Sequence, residues 1–166
     1  LLSKAKTPLC LSCHDAAGDP FKKAHGGYPV ASSDCTRCHD PHASAQKGLL
    51  RASVHAPVAD ANCDACHQAP SSPRPFAVSL EGTALCEQCH DVTALKGGGE
   101  VVHGPFDAGM CLSCHDPHTS GSPSLLARQG NALCLDCHEE QKRPVASAHA
   151  AVTGGKGCLS CHAPHA

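Results

Sequence analysis

Cys111-Leu112-Ser113-Cys114-His115-Asp116-Pro117-His118 holds the pattern around which the chain is built: Cys-x-x-Cys-His, followed three residues later by a second histidine. The five-residue core occurs seven times. The copies are Cys10/Cys13/His14, Cys35/Cys38/His39, Cys63/Cys66/His67, Cys86/Cys89/His90, Cys111/Cys114/His115, Cys134/Cys137/His138 and Cys158/Cys161/His162, numbered 1 to 7 below, and they use all 14 cysteines.

Two thiols one helical turn apart can each form a thioether to a haem vinyl group. The adjacent histidine then lies beneath the ring as an axial ligand to iron. Paired Cys-x-x-Cys hooks also build zinc sites and disulfide frameworks, but neither requires histidine directly after the second cysteine. Here it follows in all seven copies, so seven covalently bound haem c groups are the specific reading.

Composition agrees. Of the 41% hydrophobic residues, most are cysteine or alanine; Leu, Val, Phe, Tyr and Met together make up only about a sixth of the chain, and Ile and Trp are absent. Side chains alone would not build an ordinary core. Large flat porphyrins, one for every 24 or so residues, can supply the missing apolar surface at about 25 cal/mol per Å² buried. The expected fold is therefore irregular and haem-dominated, with short helices at the motifs, mostly loops and little or no sheet. The formal charge is −2; with the haem propionates it becomes about −9 in the oxidised state, which argues against nucleic acid as a partner. No run approaches the ~20 apolar residues of a membrane span, and Leu1-Leu2-Ser3-Lys4 is too short for a signal peptide, as in a processed chain.

The motifs recur every 23 to 28 residues, a repeat architecture within one heptahaem unit spanning 1–166. Two kinds alternate. One is introduced by Leu-Cys (Cys10, Cys86, Cys134); the other follows a histidine eight to ten residues upstream, namely His25, His55, His103 or His149. Pairs 1–2, 4–5 and 6–7 each end in a second histidine, His42, His118 or His165, giving pseudo-repeats of roughly 1–51, 80–128 and 129–166. Haem 3, in 52–79, lacks that histidine. Prolines and glycines make the intervening segments loops, with hinges expected at 68–82 and at Lys96-Gly97-Gly98-Gly99.

Seven histidines lie outside the motifs: His25, His42, His55, His103, His118, His149 and His165. They match the haem count and recur at fixed offsets, as a set of distal ligands would. With His14, His39, His67, His90, His115, His138 and His162 they would make every iron bis-histidine. Met110, the sole methionine, is tied to Cys111 and reads as apolar filler.

The repeated His…Cys-x-x-Cys-His-Asp-Pro-His…Leu-Cys-x-x-Cys-His pattern, from Cys10 to His165, resembles the doubled-motif multihaem c-type cytochromes. That resemblance implies an exported, periplasmic or extracellular electron conduit, and some relatives polymerise into extracellular filaments, or nanowires. Small tetrahaem cytochromes of sulfate reducers resemble the arrangement in which an upstream histidine ligates the haem that follows. On that rule His25 serves haem 2, His55 haem 3, His103 haem 5 and His149 haem 7. Three residues reach at most about 11 Å, so the histidine just beyond a motif must serve another haem: His42 haem 4 and His118 haem 6. His165 is then left for haem 1 of the next subunit, a head-to-tail contact; the alternatives are that it folds back onto haem 1 of its own chain, or that the chain is a fragment whose missing partner lies upstream.

Six-coordinate irons are closed to substrate, so electron transfer is expected rather than catalysis, with redox proteins or extracellular acceptors as partners. The alternatives are a soluble periplasmic electron shuttle or store, an interaction module of a larger complex, and a multihaem reductase of a small oxyanion with one open iron.

Overall fold

The computed structural model describes residues 4–143 and 156–166. Among these, short helices and 3-10 turns are strung on loops, with a single two-stranded sheet, and the fold is irregular. The side chains bury little. Tyr28 is the one buried hydrophobic among the described residues, while Val101 is 80% exposed, Leu112 65% and Met110 54%.

The two kinds of motif take two local structures. In the Leu-Cys kind the first cysteine closes a helix: α1 (Lys6–Cys10), with its counterparts Thr83–Cys86 and Asn131–Cys134. In the histidine-led kind a 3-10 turn opens at the first cysteine or one residue before it, as in Cys35–Arg37, Cys63–Ala65, Cys111–Ser113 and Gly157–Ser160. Only three described motifs thus end a helix. In all seven the histidine N–H donates to the carbonyl of the first cysteine at 2.9–3.1 Å, closing the motif into one turn.

Motifs 2, 3 and 5 are each followed by the same hairpin. The residue after the histidine donates back across it, Asp40 to Leu49, Gln68 to Ala77 and Asp116 to Leu125, and Arg51, Ser79 and Ala127 donate to the second cysteine's carbonyl, all at 2.7–2.9 Å. Isolated bridges His39–Leu50, His67–Val78 and His115–Leu126 complete them. The proline-rich segment after motif 3, expected to be a hinge, is therefore a stapled hairpin. Gly99 packs against Ala166, whose methyl an added Cβ would overlap.

The sheet joins distant parts of the chain. β1 (Ser53–Val54) runs antiparallel to β2 (Thr119–Ser120), with Ser53 opposite Ser120 and Val54 opposite Thr119. Thr119 is fully buried, and its hydroxyl donates to the Arg37 carbonyl. This places two histidines side by side, because His55 directly follows β1 and His118 directly precedes β2.

Candidate haem-binding site

The thiols of paired motifs are neighbours. Partial burial and then the facing thiol raise Cys10 (against Cys35), Cys86 (against Cys111) and Cys134 (against Cys158) above the ordinary thiol value. Cys86 also feels Cys66, and Cys114 feels Cys137, linking motif 3 to 4 and 5 to 6. Motifs 2 and 3 are joined by Tyr28, whose hydroxyl donates to the Gln68 carbonyl at 2.8 Å. The seven motifs form one continuous series. Every cysteine is a free thiol, and no three potential ligand side chains converge among the described residues.

The two thiols of a motif are not equally placed. All seven first cysteines are half-buried, but the second cysteines divide: Cys38, Cys66 and Cys114 are half-buried, whereas Cys13, Cys89, Cys137 and Cys161 are exposed. The hairpins explain the division. Motifs 2, 3 and 5 have one, and it folds back over the second cysteine, whose carbonyl it bonds; motifs 1 and 4 have no such bonds among the described residues. Cys13 and Cys89 thus lack the cover that the hairpins give Cys38, Cys66 and Cys114. Ser12, with its hydroxyl 4.0 Å from the Cys13 sulfur, is that thiol's polar neighbour. An exposed thiol one turn from a half-buried one still fits thioether attachment, with the outer edge of the porphyrin toward solvent.

The histidines decide whether haem fits. A metal–imidazole bond is about 2.0 Å and the ring centre lies roughly 1.1 Å behind the nitrogen, so imidazoles on opposite faces of one iron stand about 6.2 Å apart. Five motif histidines have a ring at this distance: His39 with His25 (6.2 Å), His67 with His118 (5.9 Å), His90 with His55 (6.0 Å), His115 with His165 (6.2 Å) and His138 with His103 (6.2 Å). These residues fit a haem iron between them. Each spacing leaves room for an intervening metal.

Backbone carbonyls fix the rings. A carbonyl oxygen only accepts, so an imidazole bonded to it carries its hydrogen on Nδ1 and leaves the Nε2 lone pair free to ligate a metal. His39, His67 and His115 donate to Gly48, Phe76 and Ser124 within their hairpins at 2.7–3.0 Å. His25 donates to Phe21 at 2.8 Å, His55 to Pro117 at 2.9 Å and His103 to Pro164 at 3.0 Å. Burial pushes the His118 imidazole below its ordinary value, favouring the neutral form a metal needs.

These neighbours differ from the expected distal partners except at haem 2. His55 faces haem 4's histidine rather than haem 3's, and His103 faces that of haem 6 rather than haem 5. His118 is set against His67 of haem 3 instead of haem 6, and His165 against His115 of its own chain instead of haem 1 of another. The reason is local. His55 and His103 cap the short helices Ala56–Ala59 and Gly104–Asp107, each held by a proline in its first turn, and these helices run on into the next motif while the cap points away. His25 instead follows the last residue of Asp19–Ala24 and turns back toward its own motif. His42, expected at haem 4, is exposed and faces no ring among the described residues; the same holds for the motif histidines His14 and His162. His149, expected at haem 7, lies outside the described residues.

The profile of the family described as Doubled CXXCH motif matches residues 28–54, 55–95 and 103–143, more than half of the chain. These segments are phased one motif later than the pairs read from the sequence, grouping 3 with 4 and 5 with 6. In this phase His55–His90 and His103–His138 each fall within one matched segment. Among curated proteins none matches the chain. Thioether-forming cysteine pairs, axial histidines and the matched segments agree: the chain belongs to the doubled-motif family and is a multihaem c-type cytochrome.

Proposed function

We propose that the chain conducts electrons through seven bis-histidine haems in series, as the repeating subunit of a head-to-tail extracellular filament. The observation that carries this reading is the spacing of five histidine pairs at the separation of two ligands sharing one iron. Haem, when bound, would supply a one-electron couple. The chain's own part is to hold the ligands still. Nδ1 hydrogen bonds to backbone carbonyls keep imidazole positions the same in both oxidation states, and the neighbouring thiols of successive motifs keep the carriers close. The 14 cysteines give seven attachment motifs.

No helix among the described residues is long and apolar enough to cross a membrane. As a c-type cytochrome the chain functions outside the cytoplasm, and the extracellular filament is our reading of its repeat character. The link through His165 expected from the sequence has no support in this geometry, because His165 faces His115 and stacks on Phe106 at 4.7 Å. Another contact must join the copies.

Redox titration of the purified holoprotein, followed optically and by EPR, tests conduction. Seven reversible one-electron haems without turnover of nitrite or hydroxylamine are expected. Steady reduction of either substrate would replace this reading with the oxyanion reductase.

A further inference from the structure

Two Pro-His units reach back to earlier segments in the same way. His118 faces His67 and His165 faces His115, while the carbonyls of Pro117 and Pro164 accept the Nδ1 hydrogens of His55 and His103. The units differ in the residue before the proline, which is Asp116 in one and Ala163 in the other.

Asp116 lies against the ligand that follows it. Its carboxylate accepts from the His118 N–H at 2.9 Å, and the same oxygen is 3.8 Å from Nδ1 of the His118 ring. At that distance it acts on the imidazole as a charge and not as a hydrogen-bond acceptor. Arg37 brings an opposing positive charge to His118, with a smaller effect than that of Asp116. One other paired histidine among the described residues has a carboxylate neighbour: Glu140 stands 3.7 Å from Nδ1 of His138. The other paired rings with a described Nδ1 contact meet uncharged backbone carbonyls, at 2.7–3.3 Å. Two ligand positions thus carry a negative charge that the rest do not.

Ferric haem carries one positive charge more than ferrous. An anion beside an axial imidazole stabilises that extra charge and makes the ligand more basic, and both effects favour the ferric iron. We propose that Asp116 and Glu140 are positioning residues that set potential, Asp116 at haem 3 through His118 and Glu140 at haem 6 through His138, each holding its iron at a lower potential than a neutral neighbour would. This rests on the bis-histidine conduit reading and gives the conduit an uneven profile, in which ferrous haems 3 and 6 yield their electron more readily to a ferric neighbour. The effect is the larger at haem 3, because Asp116 is 26% exposed and Glu140 56%, and water and salt screen the more exposed charge.

The test is an NMR-monitored redox titration of the holoprotein, haem by haem. Methyl contacts to the Cys63–Ala65 turn identify haem 3, to the Cys111–Ser113 turn haem 5 and to Leu133 haem 6. Asp116→Asn keeps an oxygen for the His118 N–H and removes the charge, so haem 3 should shift to higher potential and remain low-spin in ferric EPR. Glu140→Gln should raise haem 6 by less, and added salt should shrink that shift more than the one at haem 3. Ala163→Asp sets a carboxylate in the matching place before Pro164-His165 and should lower haem 5. Asp40→Asn, which alters the same turn before His42, should leave haems 3 and 6 where they are. A haem 3 midpoint that stays or falls in low-spin Asp116→Asn overturns the proposal, as does an unmoved haem 6 in Glu140→Gln. Should Asp116→Asn gain a high-spin signal, Ala163→Asp decides in its place, and a haem 5 midpoint that does not fall overturns the proposal. None of these outcomes touches conduction, which fails only if the reversible seven-haem titration of the wild type fails.

Discussion

His55 donates its Nδ1 hydrogen to the carbonyl of Pro117, 62 residues further along the chain, at 2.9 Å. The bond holds His55 facing His90 and, through the next residue, His118 facing His67. Two haem sites are thus tied by one contact between short segments, and His103 with Pro164 repeats it for His138 and His165.

Replacing the upstream histidines should therefore act one motif further on than their sequence position suggests. His55→Ala should turn haem 4 high-spin and His103→Ala haem 6, each about one haem in seven. The haem is identified by NMR: the haem-methyl signals that move should show contacts to Leu85 in His55→Ala and to Leu133 in His103→Ala. Contacts to the Cys63–Ala65 or Cys111–Ser113 turns would return the assignment to the nearest following motif.

Much of this was legible in the sequence. Seven attachment motifs, two alternating kinds, a spare histidine set and an irregular fold all follow from cysteine spacing and from a side-chain inventory too poor for a core. The distal partners were not, because an offset of eight to ten residues reads as local while the pairing depends on a two-residue strand, β1, that leaves no periodic pattern. A usable signal was present. His55-Ala56-Pro57 and His103-Gly104-Pro105 share a proline that starts a helix at the histidine, and His25-Gly26-Gly27 lacks it, which separates the two histidines that reach onward from the one that folds back. The unequal exposure of Cys13 and Cys89 against Cys38, Cys66 and Cys114 was equally hidden, since the motif reads the same in every copy and the hairpin that makes the difference lies beyond it. Haem 3 looked exceptional for want of a histidine at position 70, yet the hydrogen bonds of its hairpin are those of motifs 2 and 5.

The hairpin after motif 2 turns through Gly48, at φ 69°, whose carbonyl accepts from His39. Nothing lies within 4 Å of the place a Cβ would occupy, so substitution there carries only the backbone cost. Gly48→Ala should destabilise the holoprotein by about 1 kcal/mol in denaturant unfolding. Gly98→Ala, equally open and without a positive φ, should cost less than half as much. Equal losses would show that the left-handed turn is not the source.

Asp34 joins motif 2 to α1. Its carboxylate accepts from the Thr36 hydroxyl and N–H at 2.7 and 3.0 Å and pairs with Lys6 at 3.3 Å; the Thr36 hydrogen bonds, and then Lys6, hold it below the usual carboxylate value. A folded-state value below the unfolded one, about 3.9, means the contribution is whole above pH ~4 and fades as the pH falls through the depressed value. The difference in Tm between the native protein and Asp34→Ala should stay constant from pH 7 to about 5 and shrink below about 4. A difference that grew on acidification would assign Asp34 the opposite role.

The long reach of the Pro-His units also sets an order on biogenesis. On the bis-histidine reading proposed above, a chain exported amino end first delivers His55 before His90 and His103 before His138, so haems 4 and 6 find their second ligand already waiting when they are attached. Haems 3 and 5 do not, since His118 and His165 emerge about 50 residues after the motifs they face. The growing molecule thus alternates between haems sealed at birth and haems left open until the chain catches up. During that lag the open irons are where peroxide or a foreign ligand gains entry, and slow export should damage them first.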